Sequence, residues 1–192
     1  DDLVTGVQTC ALPICKDLNT SVNEVLKDLT GIDNLFFEQV ETFGEVNRHP
    51  LGRVLTTSYY TLVKISDYDL SPSSFASEAK WVKIMDVGEL AFDHNKILNA
   101  CFGKLKSSIR VKPIGFELLP PLFTLTELQL LYEAILGAPL DTRNFRKKIL
   151  GMNLIQDSGN VQDKVAHRPA KLFRFDEAIY KSLKNSGFVF EI

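Results

Sequence analysis

The sequence is short of the parts from which several function classes are built. Its three cysteines, Cys10, Cys15 and Cys101, form no CxxC pair. An odd number so spaced argues against a disulfide scaffold and suits a reducing cytosol, so a cytoplasmic location is expected. No apolar run approaches the roughly 18 residues that span a bilayer, so no membrane partner is expected. Eight prolines and 11 glycines in 192 residues exclude collagen-like or low-complexity character. There is no Gly-rich phosphate loop, no G-x-S-x-G and no H-E-x-x-H. The histidines, His49, His94 and His167, are far apart and have no cysteine at zinc spacing. His49 reads as a loop residue and His94 as a first-turn helix residue. No catalytic residue, metal or cofactor is expected from these parts.

What is present is ordinary globular composition, with 45% hydrophobic and 24% charged residues. The length suits one domain or two small ones. A net charge of −2 hides an asymmetry: residues 1–120 carry 12 basic and 16 acidic residues, and residues 121–192 carry 10 and 8. A mildly acidic body with a basic tail hints at a polyanion partner at one end, although solvated surface gives the same split. The N-terminus, DDLVTGVQTCALPI, has no basic start before its apolar stretch and is no signal peptide. Val4 to Ile14 reads as the translation of a sequencing-adapter oligonucleotide, so residues 1–14 are expected to be an artefact before a truncated natural chain. The alternative is that ALPI is a genuine buried strand.

Periodicity supplies the elements. Asn19 to Thr30 predicts a helix capped by Asn19, Thr20 or Ser21 and stopped by Gly31. Strands are expected over 35–43 and 53–65, joined by a loop from Gly44 to Gly52. A polar loop over 66–77 leads to a short strand, 80–85, containing Trp81. Asp93 can cap a helix to about Ile109, and 114–118 reads as a strand. Thr124 and Glu127 have capping-box spacing and open a helix with Leu128, Leu131, Tyr132 and Ile135 inward, stopped by Gly137. Asp141 caps a second helix to about Leu150. Strands over 154–156 and 171–175 follow, then a helix from Asp176 to about Lys184. The expected fold class is α+β, with a first unit over 15–92 and a second over 93–192. The second has the element order of a winged helix-turn-helix, an order that a generic small α+β appendage can also produce.

The helix after Asp141 carries the binding chemistry. Phe145, Ile149 and Met152 recur at i, i+4, i+7 and point inward. Arg143, Arg146 and Lys147 share an outer face, and Lys148 makes four cations within six residues. Arg143 and Asn144 lie in the first turn, where a recognition helix meets base edges: Arg forks onto guanine and Asn onto adenine. Thr142 at the helix N-terminus suits a phosphate. Lys164, His167, Arg168 and Lys171 lie where a basic wing would be. A solvated amphipathic helix is the plain alternative to this basic-patch reading.

Two segments of this region, LFTLTELQLLYEAIL over 122–136 and LDTRNFRKKIL over 140–150, resemble the C-terminal winged helix of Nudix-related transcriptional regulators of the NrtR type. LAFDHNKIL over 90–98 and PIGFELLP over 113–120 are similar to that family's linker helix and the strand after it. TFGEVNRHPLGR over 42–53 resembles the loop joining two strands of the Nudix-like domain. The likeness covers nearly everything from about residue 18 onward. It implies a partial Nudix-like α/β/α domain that senses a small molecule and dimerises. It also implies a winged helix on a pseudo-palindromic operator in double-stranded DNA. Effectors of the family include ADP-ribose, in control of NAD metabolism, and other members are tied to sugar use, including arabinose. The matching positions make Thr142, Arg143, Asn144, Arg146, Lys147, Lys148, His167, Arg168 and Lys171 the DNA-contact candidates. Glu45, Arg48 and Arg53, in the loop facing the ligand cleft of Nudix-like folds, become effector candidates, although a solvated loop salt bridge explains them as well.

An active Nudix box, GX5EX7REUXEEXGU, holds Mg²⁺ through carboxylate oxygens. Aligned on Gly31 and Ile32, this chain has Glu24 in place of Arg, Val25 in place of Glu, and Asp28 and Leu29 in place of the two later Glu residues. Lys16 falls at the upstream Glu. One carboxylate is left among the metal-ligand positions. The leading expectation is a ligand-responsive regulator acting by population shift between dimer geometries. The alternatives are a hydrolase of nucleoside diphosphate-linked substrates such as ADP-ribose, and a protein-interaction module whose basic helix meets an acidic partner. With this box, ADP-ribose incubated with the protein and Mg²⁺ should not be turned over above a metal-free control. Mg²⁺-dependent formation of AMP and ribose 5-phosphate, read by chromatography, would reverse the ranking.

Overall fold

The structure is a computed structural model that describes residues 16–33, 35–50, 52–73, 76–163 and 168–192. The expected artefact over 1–14 lies outside the described residues, as do Cys10, Cys15, Lys164 and His167. The chain is α+β and divides into two compact units, one running to Leu105 and one from Lys106 to Ile192.

The first unit opens with a helix, α1, over Leu18–Thr30. Its cap is Asp17, two positions before Asn19, the first of the expected candidates: the carboxylate accepts the Thr20 N–H at 2.9 Å. Asp is among the best caps and its oxygen reaches an otherwise unpaired amide. Ser21, expected as a possible cap, is instead inside the first turn and buried, its hydroxyl donating to the Asp17 carbonyl. Gly31 ends α1 in the left-handed region at φ 80°. A Cβ there would meet the Ser71 carbonyl oxygen at 2.8 Å. Two constraints therefore demand glycine, the backbone angle and the close approach.

Strands β1, Glu38–Phe43, and β2, Thr56–Tyr60, pair antiparallel, with Phe43 opposite Thr56 and a register break between Gln39 and Thr42. Both are shorter than the expected runs. Thr56, Ser58 and Tyr60 turn inward and alternate with half-buried Thr57 and Tyr59. Helix α2, His94–Val111, packs Ile97 and Cys101 against Phe43, with Val40 and Ala100 around them. The strand expected over 80–85 does not form. Lys80–Lys83 lie outside any helix or strand and Ile84–Asp86 make a 3₁₀ turn. An apolar, β-branched run becomes a strand only where a sheet edge is free to pair with it; here these side chains line a cavity instead.

In the second unit the strand expected over 114–118 is also a 3₁₀ turn, Ile114–Leu118. It buries Gly115 and Phe116, and the Phe116 ring stacks on Phe175 with centroids 4.4 Å apart. Helix α3, Leu125–Leu136, begins with the complete capping box: Thr124 Oγ1 accepts the Glu127 N–H, and Glu127 Oε2 accepts the Thr124 N–H at 2.6 Å. Gly137 ends it at φ 69°. Helix α4, Thr142–Gly151, is capped by Asp141, whose carboxylate accepts the Asn144 N–H at 2.8 Å. Strands β3, Ile155–Val161, and β4, Lys171–Phe175, form an antiparallel wing, with Ile155 opposite Phe175. Phe123 adds a bridge to Phe173 through two backbone hydrogen bonds. Asp176 caps the last helix, α5, Glu177–Asn185. The core is Phe123, Leu128, Tyr132, Ile135, Phe145, Ile149 and Leu154, each at most 4% exposed. Helix, helix and paired wing give the winged-helix arrangement.

Gly31→Ala should lower the stability of the first unit by about 1–2 kcal/mol in urea denaturation. Gly31→Asn should not recover it. Asn tolerates the positive φ but carries the same Cβ toward Ser71, so recovery by Asn would leave φ as the sole constraint.

Candidate nucleic-acid interface

Helix α4 has a sharp inside and outside. Phe145 and Ile149 are buried, Phe145 against the Tyr132 ring at 5.6 Å between centroids. Thr142, Arg143, Asn144, Lys147 and Lys148 are exposed. Among the described residues no ion pair engages Arg143, Lys147 or Lys148. Arg146 is half-buried and leans back on α3, its Nη2 donating to Thr126 Oγ1 at 3.0 Å. The side chain expected to share the outer face of Arg143 and Lys147 is thus partly spent inside the domain. Thr142 Oγ1 accepts from the Gln129 amide at 3.1 Å.

The wing adds Arg168 and Lys171, both exposed. Lys171 is paired across the hairpin with Asp157 at 2.7 Å. That hydrogen bond, with a second from the Gly159 N–H, holds the Asp157 carboxyl below its usual range. Arg174, exposed on β4 and donating to Gln156 Oε1 at 2.8 Å, is a further cation that the sequence reading passed over. Its place on the solvent side becomes evident only once the wing has a register. Gln129 was passed over too, although a polar residue at an inward helical position is itself a signal.

The loop between β1 and β2 has a different character. Arg48 is 3% exposed and forks onto Asp93, its Nε and Nη2 each 2.8 Å from a carboxylate oxygen. Its Nη1 donates to Thr56 Oγ1 at 2.6 Å. The Asp93 side chain, expected as a helix cap, is taken by this guanidinium, while its backbone carbonyl accepts the Ile97 N–H. Glu45 pairs with Lys96, and His49 rests on Phe92 with ring centroids 4.7 Å apart. Arg53 is exposed. The loop is therefore fastened to the start of α2 at three points, and Arg48 serves as the buried one.

Glu45, Arg48 and Arg53 do not line the cavity that the described residues of this unit form beside Trp81. That cavity, about 620 Å³, is bounded by Leu26, Leu29, Phe37, Tyr59 and Trp81, with Glu78 and Lys80 at its polar margin. Val25 and Leu29, aligned with metal-binding glutamates, are half-buried in α1. Among the described residues no three His, Cys, Asp or Glu side chains stand together as metal ligands would. No described helix is long and apolar enough to cross a membrane.

Against this geometry the comparisons with known proteins can be set. Residues 115–175 match the NrtR DNA-binding winged helix domain. The match spans the 3₁₀ turn, α3, α4 and the wing, so it falls on the segments that carry the exposed cations. Over a longer span the chain is similar to the ADPR responsive transcriptional repressor NtrR of Acinetobacter baylyi, 34% identical over 163 residues, 83% of this chain. It spans 64% of that relative's length. Among solved structures, Shewanella oneidensis NrtR aligns with a TM-score of 0.69 and 28% identity over 91% of this chain and 87% of its own. The same protein complexed with a 27mer DNA gives 0.69 and 23%, over 98% and 90%. A MutT/nudix family protein from Enterococcus faecalis gives 0.68 and 22%, over 86% and 71%. The last two likenesses concern the fold alone. The last of them is a likeness to a Nudix fold.

The Arg48–Asp93 pair yields a stability prediction. The Arg48 guanidinium holds the Asp93 carboxyl below its ordinary value of 3.8. A depressed carboxylate contributes its full stability above the unfolded-state value and loses it as pH falls through the folded one. Wild-type protein should therefore lose this contribution only below about pH 4. Arg48→Met should cost about 3 kcal/mol at neutral pH, because the carboxylate is left enclosed without its partner. Denaturation of both proteins at pH 7 and in the acid range measures it; equal stability at pH 7 would show the pair to be dispensable.

Proposed function

We propose that this protein is a ligand-responsive transcriptional regulator that binds operator DNA through α4 and the wing. One observation carries the reading: three exposed cations on α4 that have no acidic partner among the described residues, set on a winged-helix frame. A helix whose inward face is held by Phe145 and Ile149 can lie in a major groove with Arg143 and Asn144 at base edges and Lys147 and Lys148 toward phosphates. Thr142 and the α4 N-terminus supply neutral donors for a phosphate. Arg168 and Lys171, with His167 in the same loop by sequence, are the wing's candidates. Similarity to a described repressor supports a regulatory role, and the substituted box supports absence of Mg²⁺-dependent hydrolysis.

The first unit takes the part of the sensor in this reading. The relative's description as ADPR responsive supports an ADP-ribose-like metabolite as effector. Of the three loop candidates Glu45 and Arg53 are exposed, and Arg48 holds the loop in place. The cavity beside Trp81 has the volume of a small-ligand site. A homodimer on a two-fold operator is the expected assembly, since paired recognition helices read half-sites about one helical turn apart.

Fluorescence anisotropy on a duplex from the region upstream of the gene, with a scrambled duplex as control, tests the reading. Wild type should prefer the former and weaken steeply with salt. Arg143→Ala/Lys147→Ala should lose about tenfold or more in affinity, relax the sequence preference through Arg143 and reduce the salt slope by about one through Lys147. A folded wild-type protein with no preference between the duplexes would refute the assignment.

A further inference from the structure

Gln129 is the polar exception on the inward side of α3. It is 8% exposed, between the fully buried Leu128 and Tyr132. Its Nε2 lies 2.9 Å from Glu133 Oε1, 3.2 Å from the Leu140 carbonyl oxygen and 3.1 Å from Thr142 Oγ1. Two amide hydrogens are thus shared among three acceptors. Glu133 Oε1 in turn accepts the Leu140 N–H at 2.9 Å. The turn between α3 and α4 is gripped at both backbone groups of Leu140, and the first residue of α4 is gripped with it. Farther along the same flank Thr126 accepts from Arg146.

A buried amide costs free energy unless its hydrogen bonds are made. A leucine or methionine would fill the same volume without that cost, so filling is not what Gln129 adds. What it adds is a fixed geometry for the turn that aims α4. We propose that Gln129, backed by Glu133, is a positioning residue that sets the angle and register at which α4 presents Arg143 and Asn144 to DNA. The inference rests on the DNA-binding reading above. Hydrogen bonds to base edges tolerate little displacement, whereas long lysine and arginine side chains can follow a phosphate. Loss of the clasp should therefore reduce sequence preference more than total affinity.

The test measures anisotropy with the full chain as wild type, Gln129→Met and Glu133→Gln, on the upstream and scrambled duplexes at several salt concentrations. Gln129→Met should lower the ratio of the two affinities by about tenfold with the salt slope unchanged, while Glu133→Gln, which keeps an acceptor oxygen, should stay within about threefold of wild type. A purely structural role would lower the folded fraction and weaken both duplexes alike, leaving the ratio untouched. An unchanged ratio in Gln129→Met therefore overturns the proposal. If that variant shows no cooperative melt, Glu133→Ala, which removes one acceptor at a half-buried site, is judged by the same ratio: a fall supports the clasp and no change overturns it. If wild type itself shows no preference, the DNA reading fails and this inference falls with it.

Discussion

Two buried side chains, Phe145 and Ile149, hold the most basic element of the second unit. Everything α4 can do depends on that anchorage. A ten-residue helix with four cations repels itself and is too short to be stable alone in water. Each buried side chain contributes about 1.5–3 kcal/mol, so the anchors and the Asp141 cap carry a helix whose outer face contributes little to stability. The polar contacts from α3, Gln129 to Thr142 and Thr126 to Arg146, add direction to an anchorage that apolar packing alone leaves free to slide. The same division of labour explains why Arg146 is half-buried: one cation is spent on holding the helix and the rest face outward.

The first unit solves a different problem. Its described sheet has two strands, β1 and β2, and a two-stranded ribbon is marginal without something packed on it. Part of the packing comes from α2 through Ile97 and Cys101, and the Arg48–Asp93 fork fastens the intervening loop to the same helix. Burying a guanidinium is costly unless its donors are met, and here the carboxylate and Thr56 meet them. A residue read from sequence as ligand-facing is thereby placed as a structural tie. Glu45 is tied to Lys96 at the surface and Arg53 stands in solvent.

The parts legible in the sequence were those whose cause is local. Thr124 with Glu127, Asp141, Asp176, Gly31 and Gly137 announce helix ends because a cap is decided within four residues. The inward set Leu128, Tyr132, Ile135, Phe145 and Ile149 follows from helical period alone. The apolar runs at 80–85 and 114–118 were misread as strands because strand formation needs a partner edge, which composition does not reveal. Trp81 lines a cavity and Phe116 stacks on Phe175 instead. Arg48 and Gln129 were obscure for a related reason: the Arg48 carboxylate partner lies 45 positions away, and Gln129, besides Glu133 one turn on, reaches Leu140 and Thr142, 11 and 13 positions away. A charged or amide side chain in isolation reads as solvated until its acceptor is placed.

The ion pair between Lys171 and Asp157 has a kinetic consequence. An approaching polyanion feels at long range the α4 cations, which have no ion pair among the described residues, while the wing's lysine is partly offset by its neighbour. A phosphate that engages Lys171 shares the ammonium with the Asp157 carboxylate, which takes one of its three hydrogens. For DNA as the partner, the charges on α4 would weigh more than Lys171 in how fast complexes form.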